Sequence, residues 1–209
     1  MRRSIVIGRT NVGKTLFCIH FARYLGSRQL NWLLETTDGK NERVTMSLAS
    51  AEARLSNSTP HQTRTLQSVT VKVPRGKVDR ELLLTDTTGL SEGIYPDPDI
   101  RLAMAQTLEA MVSAALILHI VDADEIGRNL GPGQKGLPAR SWSELDNQLV
   151  AYGGSHDNYF LLANKIDLSA AKRGYRQLCK EFSKHRVIPV SALAGTGFRE
   201  VKQHVWNLV

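Results

Sequence analysis

The sequence is poor in several features that define special classes of protein. Its 209 residues include two cysteines, Cys18 and Cys179, which lie far apart and have no metal-ligand spacing around them. The longest apolar run, 114–121, is interrupted by His119 and is far shorter than the roughly 20 residues that a membrane-spanning helix needs. Near the N-terminus, the apolar stretch 5–7 is too short for a secretory signal. We therefore expect a cytoplasmic protein without a membrane span, in which both thiols are reduced and have a packing role rather than a redox one.

Charge is distributed unevenly along the chain. The 27 Lys and Arg residues exceed the 20 Asp and Glu residues, which gives a formal net charge of +7. Residues 1–26 carry five basic and no acidic side chains, and residues 168–209 carry eight basic and two acidic ones. Residues 81–167 are acidic, with 13 acidic and five basic side chains. The basic ends suit RNA, an anionic lipid surface or the phosphates of a nucleotide, and a solvated surface is the plainer alternative.

Short β-branched runs alternate with helical stretches, which is typical of a mostly parallel sheet covered by helices. Strands are predicted over residues 4–7, 66–73, 81–85, 115–121, 159–163 and 186–190. Helices are predicted over residues 14–25, 100–113, 141–152, 170–184 and 197–208. Apolar and polar residues alternate over 69–73 before a turn at 74–77, which predicts a hairpin with one antiparallel edge strand. We therefore expect a three-layer α/β fold with a six-stranded, mostly parallel sheet, in a single domain over residues 1–209.

Two segments exceed what such a domain needs. Residues 27–58 form an insert in which Val44, Leu48, Ala51 and Leu55 recur at helical spacing, so a helix is predicted near 41–56. The segment 124–140 is rich in glycine and proline and is predicted to be a flexible loop.

A phosphate-binding motif directly follows the first predicted strand. Residues 8–15 match the pattern G-x-x-x-x-G-K-[ST] in the strand–loop–helix context that it requires. The glycines let successive backbone amides point at phosphate oxygens, and the helix that begins at Lys14 adds the positive end of its dipole. In this pattern Lys14 bridges the terminal phosphates and Thr15 ligates Mg²⁺. We therefore expect a P-loop NTPase fold that binds a nucleoside triphosphate with Mg²⁺.

A second motif, Asp86-Thr87-Thr88-Gly89, ends the third predicted strand. The Asp86 carboxylate can hold Mg²⁺ through water, and the Gly89 amide can sense a terminal phosphate and switch the loop that follows. Alone, D-x-x-G is a common turn. Its position after the phosphate-binding motif makes it a second part of one site.

Two further motifs follow the fifth and sixth predicted strands. In Asn164-Lys165-Ile166-Asp167, the Asp167 carboxylate can accept two hydrogen bonds from guanine, whereas adenine offers no matching pair of donors. In Ser191-Ala192-Leu193, the Ala192 amide can reach the guanine carbonyl oxygen. These motifs predict GTP rather than ATP. The predicted nucleotide contacts are Asn11, Val12, Gly13, Lys14, Thr15, Leu16, Gly89, Asn164, Lys165, Asp167, Ser191, Ala192 and Leu193.

The order of these four motifs resembles the Era-like branch of the translation-factor-type GTPases, which includes Era and the TrmE tRNA-modification GTPase. The resemblance covers nearly the whole chain. Residues 60–64, Pro-His-Gln-Thr-Arg, look like the P-x-x-T-R switch segment of that branch. By this resemblance Thr63 closes over Mg²⁺ and the terminal phosphate in the GTP state, with Thr59 and Thr65 as alternatives. The gap of 49 positions from Lys14 to Thr63 is longer than usual, which places the insert beside the first switch.

The four motifs do not identify the group that orients the attacking water. Ras-like enzymes orient water with a glutamine where this chain has Leu90, and a leucine cannot do so. Asn11 resembles the asparagine by which TrmE-like GTPases hold K⁺ between the phosphates, so the resemblance implies Asn11, Lys14 and Thr63 as catalytic groups, with K⁺ on Asn11. The acids that could orient water are Glu92, Asp97 and Asp99, for each of which an ordinary solvated carboxylate is the alternative.

The resemblance implies a molecular switch that hydrolyses GTP slowly. The expected partners are GTP or GDP, a GTP-dependent second copy of the chain, and an effector that is RNA or protein, with a role in RNA or ribosome maturation. The alternative is a regulatory module whose GTP state gates a partner protein with little hydrolysis, and a third hypothesis is a module that has lost hydrolysis. We expect the effector function to come from another protein or from a longer chain.

Overall fold

An eight-stranded sheet forms the centre of the molecule. The computed structural model describes residues 2–35, 41–55, 66–75, 78–87, 90 and 97–208. The strands are β1 (Arg2–Ile7), β2 (Gln29–Glu35), β3 (Asn41–Ser47), β4 (Leu66–Arg75), β5 (Val78–Asp86), β6 (Leu116–Asp122), β7 (Tyr159–Asn164) and β8 (Val187–Pro189). The helices are α1 (Lys14–Tyr24), α2 (Leu48–Leu55), α3 (Pro98–Val112), α4 (Ala123–Asn129), α5 (Glu144–Gly153), α6 (Ala171–Glu181) and α7 (Phe198–Leu208).

The sheet has a parallel half and an antiparallel half. Its strand order is β3-β2-β4-β5-β1-β6-β7-β8. Strands β5, β1, β6, β7 and β8 pair in parallel, whereas β3, β2, β4 and β5 pair antiparallel. Because parallel strands end at the same edge, the loops that follow β1, β5, β6, β7 and β8 meet there. The predicted α/β P-loop fold is confirmed, with eight strands rather than six.

Helices cover both faces of this sheet and enclose two apolar cores. On one face α1 and α7 pack together through the rings of Phe17, Phe21 and Phe198, whose centroids lie 5.2–5.4 Å apart. On the other face, the core includes residues of α3, α4, α5 and α6. All seven residues of β6 are buried because this strand lies in the middle of the sheet between the two helical layers.

The insert is the first place where the sequence-based expectation is wrong. The helix predicted over 41–56 is instead strand β3 followed by the short helix α2. Strands β2 and β3 form an antiparallel pair from Gln29↔Ser47 to Glu35↔Asn41, and β2 also pairs with β4. Strand β4 is therefore not the edge of the sheet, because the insert adds two strands beyond it. Alternation in β2, with Leu30 and Trp32 buried, was the missed signal.

The segment 124–140 also differs from the expectation of a loop. Its first six residues belong to α4, which extends to Asn129. Asp122 caps this helix, because its carboxylate accepts a hydrogen bond from the Glu125 amide at 2.9 Å. Ile126 of this helix is fully buried in the core. The glycine that argued for a loop, Gly127, is instead a contact with α6.

Helices α4 and α6 touch through their backbones at two glycines. A Cβ on Gly127 would lie 2.0 Å from the Ala170 carbonyl oxygen, and a Cβ on Gly174 would lie 2.0 Å from the Ala123 carbonyl oxygen. Only glycine allows this approach. It holds α6 against the helix that begins at the end of β6.

We expect Gly174→Ala to destabilise the fold by about 2 kcal/mol. Overpacking against the α4 backbone costs up to about 3 kcal/mol, and the better helix propensity of alanine returns about 1 kcal/mol. Urea unfolding measures the difference. The control is Gly131→Ala, whose Cβ would meet only the Gln134 side chain at 3.4 Å. Equal stability of Gly174→Ala and the unmodified chain would contradict the close helix contact.

Candidate functional site

The loop after β1 contains two glycines whose positive φ angles and close contacts leave no room for a side chain. Gly8 has φ +137°, and a Cβ there would lie 2.2 Å from the Ile120 carbonyl oxygen. Gly13 has φ +99°, and a Cβ there would lie 2.5 Å from the Asn164 side-chain nitrogen. The loop therefore lies tightly against β6 and against the end of β7, and α1 begins directly after it. The first turn of α1 contains no acidic residue, so its positive dipole end is available to an anion.

The Lys14 side chain is held at the mouth of this loop. Its ammonium donates to the Arg9 carbonyl oxygen at 2.7 Å. Burial lowers the pKa of Lys14 to about 8, against the opposing attraction of Asp86. The loop therefore keeps a buried cation close to the backbone amides, as a phosphate group requires.

Asp86, at the end of β5, is a buried acidic group whose charge the protein compensates only in part. Its side chain is fully buried, and neither carboxylate oxygen has a well-aligned hydrogen-bond partner among the described residues. Burial raises the pKa of Asp86 to about 6, although the Thr15 hydroxyl, the Lys14 ammonium and the Thr87 backbone amide lie close enough to lower it. A buried carboxylate without full compensation is costly unless a cation joins it.

This arrangement fits Mg²⁺. The ion prefers hard oxygen ligands, and in nucleotide sites one or two protein oxygens and the phosphates share its coordination. The incompletely compensated Asp86 carboxylate and the adjacent Thr15 hydroxyl supply oxygens of this type. These two residues are the ones that would hold the ion, directly or through water.

The residues that follow β5 form hydrogen bonds to β1 and to the phosphate-binding loop. The Thr87 hydroxyl donates to the Val6 carbonyl oxygen at 2.8 Å, and the Leu90 amide donates to the Gly8 carbonyl oxygen at 3.2 Å. Leu90 is 2% exposed and belongs to the core under α3 and α5. Its side chain is thus a packing group and does not orient water.

Asn164, at the end of β7, joins three segments of the site. Its side-chain nitrogen donates to the Val12 carbonyl oxygen at 2.7 Å. Its side-chain oxygen accepts from the Ala192 amide at 2.9 Å. Asn164 itself is 1% exposed. The phosphate-binding loop, the end of β7 and the loop after β8 are therefore connected by one amide group.

Lys165 makes a second connection to the phosphate-binding loop. Its backbone has φ +65°, and its ammonium donates to the Asn11 carbonyl oxygen at 3.2 Å and to the Asp122 carboxylate at 2.6 Å. Asn11 also has a positive φ, +62°, and its side chain is exposed. Asp122 was not singled out from the sequence. An acid at the last position of a buried strand, followed by helical residues, was the available signal.

The remaining described residues lie at the rim or in the walls of the site. Asp167 is exposed just after Lys165. Ser191 is buried and accepts a hydrogen bond from the Ala194 amide at 2.9 Å, whereas Leu193 is 67% exposed. Val12 is buried and Leu16 is half-buried at the start of α1. These positions surround the ends of β1, β7 and β8, where a nucleotide base and its phosphates would lie.

Several predicted residues are not placed by the structure. Those outside the described residues are Thr59, Thr63, Thr65, Gly89 and Glu92. Asp97 is described, and its carboxylate caps α3 by accepting from the Asp99 amide at 2.9 Å. Asp97 therefore has a structural partner, which weakens its case as a water-orienting acid.

The sequence matches a known family over most of its length. Residues 3–165 match the family described as 50S ribosome-binding GTPase. The GTPase Obg of Trichodesmium erythraeum is 29% identical over 100 residues, which are 45% of this chain and 26% of that protein. The GTPase Obg of Acholeplasma laidlawii is 25% identical over 129 residues, which are 61% of this chain and 28% of that protein. The chain thus spans about a quarter of the length of these relatives.

Solved structures share the fold at low identity. Era from Aquifex aeolicus, bound to GDP and AlF4⁻, superposes with a TM-score of 0.66 at 18% identity, over 100% of this chain and 57% of that one. The G domain of FeoB from T. maritima gives a TM-score of 0.55 at 18% identity, over 100% of this chain and 98% of that one. These structures share the fold, and the family match over residues 3–165 shows that the chain belongs to the family of 50S ribosome-binding GTPases.

Proposed function

We propose that this protein is a molecular switch that binds GTP with Mg²⁺ and hydrolyses it slowly to GDP and phosphate. The observation that carries the proposal is the Asn164 amide, which ties the phosphate-binding loop to the loop after β8. This connection holds the loop that would bind the phosphates beside the loops that would contact the base. The exposed Asp167 carboxylate at the rim then recognises guanine by accepting hydrogen bonds from the two donors of the base.

The residues divide the work of phosphoryl transfer. Lys14 and the amides of residues 11–16 hold and neutralise the phosphate oxygens. Thr15, Asp86 and Thr63 would hold Mg²⁺, and a bound Mg²⁺ would further neutralise the negative charge of the terminal phosphate. Because Leu90 is buried, orientation of the attacking water depends on another group. The low intrinsic rate that we propose follows from that lack.

We further propose that Asn11 supports catalysis through K⁺, as in the Era and TrmE branch that the sequence resembles. Its positive φ and exposed side chain leave its amide oxygen open to a cation beside the phosphates. Assembly of a second copy across the nucleotide would complete the site in this branch. The proposal places the protein in the cytoplasm, where reduced cysteines persist. No helix of the described residues is long and apolar enough to cross a membrane.

For the effector, we propose RNA and a role in ribosome maturation. The basic segment 168–209 supports this proposal through its charge. Era, which shares the fold, has been solved in a complex with a fragment of 16S ribosomal RNA. The alternative is a regulatory module that gates a partner protein. It is favoured by strands β2 and β3, which extend the sheet so that β3 is an edge strand among the described residues, and an edge strand can pair with another protein.

Replacement of Asp167 tests the base specificity. We expect Asp167→Asn to weaken GTP binding at least about 100-fold, because two hydrogen bonds to a charged group are lost. The same variant should gain affinity for xanthosine triphosphate, since the amide offers the donor that xanthine needs. Fluorescent nucleotide titration measures both affinities. The control is Asp157→Asn, an exposed aspartate ahead of β7. Unchanged GTP affinity in Asp167→Asn would mean that the base is read elsewhere.

Replacement of Asp86 tests the metal site through stability. Since the pKa of Asp86 is raised from its ordinary value to about 6, burial in the folded chain penalises the ionised carboxylate, which is the form present at pH 7.5. The raised pKa means that the protonated Asp86 contributes to the free energy of unfolding. This contribution is fully present below the ordinary pKa of an aspartate and is lost as the pH rises through 6. Asp86→Asn should therefore raise the free energy of unfolding by about 2 kcal/mol at pH 7.5, and by about 0.5 kcal/mol near pH 4.

Urea unfolding in buffer with a chelator measures this gain, with Asp157→Asn as the control. In the presence of Mg²⁺ and GDP the order should reverse, because the amide is a poor ligand and the variant gains less from the metal. A variant that is less stable than the unmodified chain at pH 7.5 without metal would contradict the uncompensated charge.

Turnover in potassium and sodium buffers tests the catalytic cation. We expect GTP hydrolysis to be about 10- to 100-fold faster in potassium, which corresponds to a barrier lowered by about 1–3 kcal/mol. Asn11→Gly should abolish this difference and retain GTP binding, since glycine tolerates the positive φ at this position. Asn11→Ala serves as a second variant. Equal, near-zero turnover in both salts with GTP still bound would favour the regulatory module.

A further inference from the structure

A cleft of about 330 Å³ lies between α6 and the loop that follows α4, away from the predicted nucleotide contacts. One wall is the exposed face of α6, which contributes Arg173, Arg176, Gln177 and Lys180. The other wall is the loop 130–134. The residues that line this basic cleft include three cations and no carboxylate.

Among the residues that the structure describes, no ion pair neutralises the cations of the basic cleft. Arg176 and Lys180 are exposed and form no ion pair with any of the residues that the structure describes. They stand four positions apart on one helix, where like charges destabilise the helix by a few tenths of a kcal/mol. Lys135 is exposed in the facing loop. An anion bound in the cleft would relieve this repulsion.

The walls of the basic cleft are fixed before any ligand binds. The Arg173 guanidinium donates to the Leu130 carbonyl oxygen, and it reaches the Gly131 carbonyl oxygen at 3.4 Å. Gln177 donates to the Gly136 carbonyl oxygen at 3.2 Å. These bonds tie the loop to α6, so a ligand would lose little free energy in ordering the site. Arg173 therefore shapes the cleft, whereas Arg176 and Lys180 remain available to a ligand.

The spacing of the cations suits a linear polyanion. Residues 173, 176 and 180 lie on one face of α6 and span about 10 Å along its axis at the usual helical rise. Planar guanidinium groups match phosphate oxygens in pairs. Five of the nine lining residues have polar or charged side chains and two, Leu130 and Pro132, have apolar ones, whereas the buried centre of a protein interface is apolar. A chain of phosphates fits these features better than an acidic protein surface.

We propose that the basic cleft binds the phosphate backbone of single-stranded RNA and is the surface by which the switch contacts its RNA effector. This inference rests on the proposed function, because RNA is the effector class proposed there. It adds the place of contact, on α6, which directly follows the segment 164–167 that we propose to read guanine. It also adds that recognition is by charge and backbone rather than by base sequence.

The test compares two double variants that each remove two positive charges. Arg176→Ala with Lys180→Ala changes the basic cleft. Arg23→Ala with Arg199→Ala changes exposed arginines of α1 and α7, on the opposite face of the sheet. The probe is a fluorescein-labelled oligouridylate of 12 nucleotides, titrated at several KCl concentrations with the full chain in GDP and Mg²⁺. Affinity for GTP is measured in parallel for every variant.

We expect the cleft variant to bind the RNA at least about tenfold more weakly in low salt, and its log–log salt slope to fall by about 1.4, from two lost phosphate contacts of about 0.7 each. The control pair should retain the RNA affinity. Equal loss in both variants would overturn the proposal, because the binding would then follow net charge alone. Binding of a 12-residue polyglutamate as tight as that of the RNA, and lost in the same variant, would overturn it in favour of an acidic protein partner.

The GTP titration separates this inference from the proposed function. Retained GTP affinity in a cleft variant that has lost RNA binding supports the cleft. If the unmodified chain fails to bind GTP, the proposed function fails, and the RNA comparison of the two variants still decides the cleft on its own.

Discussion

The site depends on one buried amide. Asn164 binds the Val12 carbonyl oxygen and the Ala192 amide, and so it fixes the distance between segments that lie 152 and 28 positions away from it in the chain. The close approach of Gly13 to the same side chain follows from this contact, because any larger residue would displace it. The positive φ angles of Asn11 and Lys165 occur where the two loops meet. Local strain and tertiary contact thus support one another at this point.

The second constraint is electrostatic. Lys14 and Asp86 are both buried, and burial favours the neutral form of each. It lowers the pKa of Lys14 to about 8 and raises the pKa of Asp86 to about 6. In a folded domain such a pair is costly unless further charges join it. Phosphates and a divalent cation are such charges, so the stability of the empty protein and the affinity for its ligand oppose each other. This trade-off is typical of sites that are organised before the ligand binds.

The sequence was informative where motif and position coincide. The loop at 8–15, the strand ends at Asp86 and Asn164, and the six strands of the motif-bearing fold were predictable, because glycine spacing and buried β-branched runs have direct structural meaning. The insert was not predictable in the same way. Val44, Leu48 and Leu55 fit a helical period, yet the first part of that stretch pairs with β2, a partner that no local pattern reveals.

Other features of the site depend on contacts that are distant in sequence. The bond between Lys165 and Asp122 joins residues 43 positions apart, and the backbone contact at Gly127 and Gly174 joins α6 to α4, the helix that the composition of 124–140 disguised as a loop. Glycine there serves helix packing rather than chain turning. Composition alone cannot separate these two uses, because both need the absence of a side chain.

The added strands also change the mechanics of β4. That strand begins at Leu66, directly after the segment that resembles the first switch, and it is paired with β5 on one side and with β2 on the other. Glu35 of β2 further binds Arg3 of β1 at 2.5 Å and accepts from Ser68 of β4 at 3.4 Å. A strand paired on one side can peel away when a neighbouring loop is pulled. In this protein, detaching β4 would break both ladders and the polar contacts of Glu35. A displacement of the preceding segment by a bound phosphate would therefore stop at Leu66, because the whole sheet resists it there.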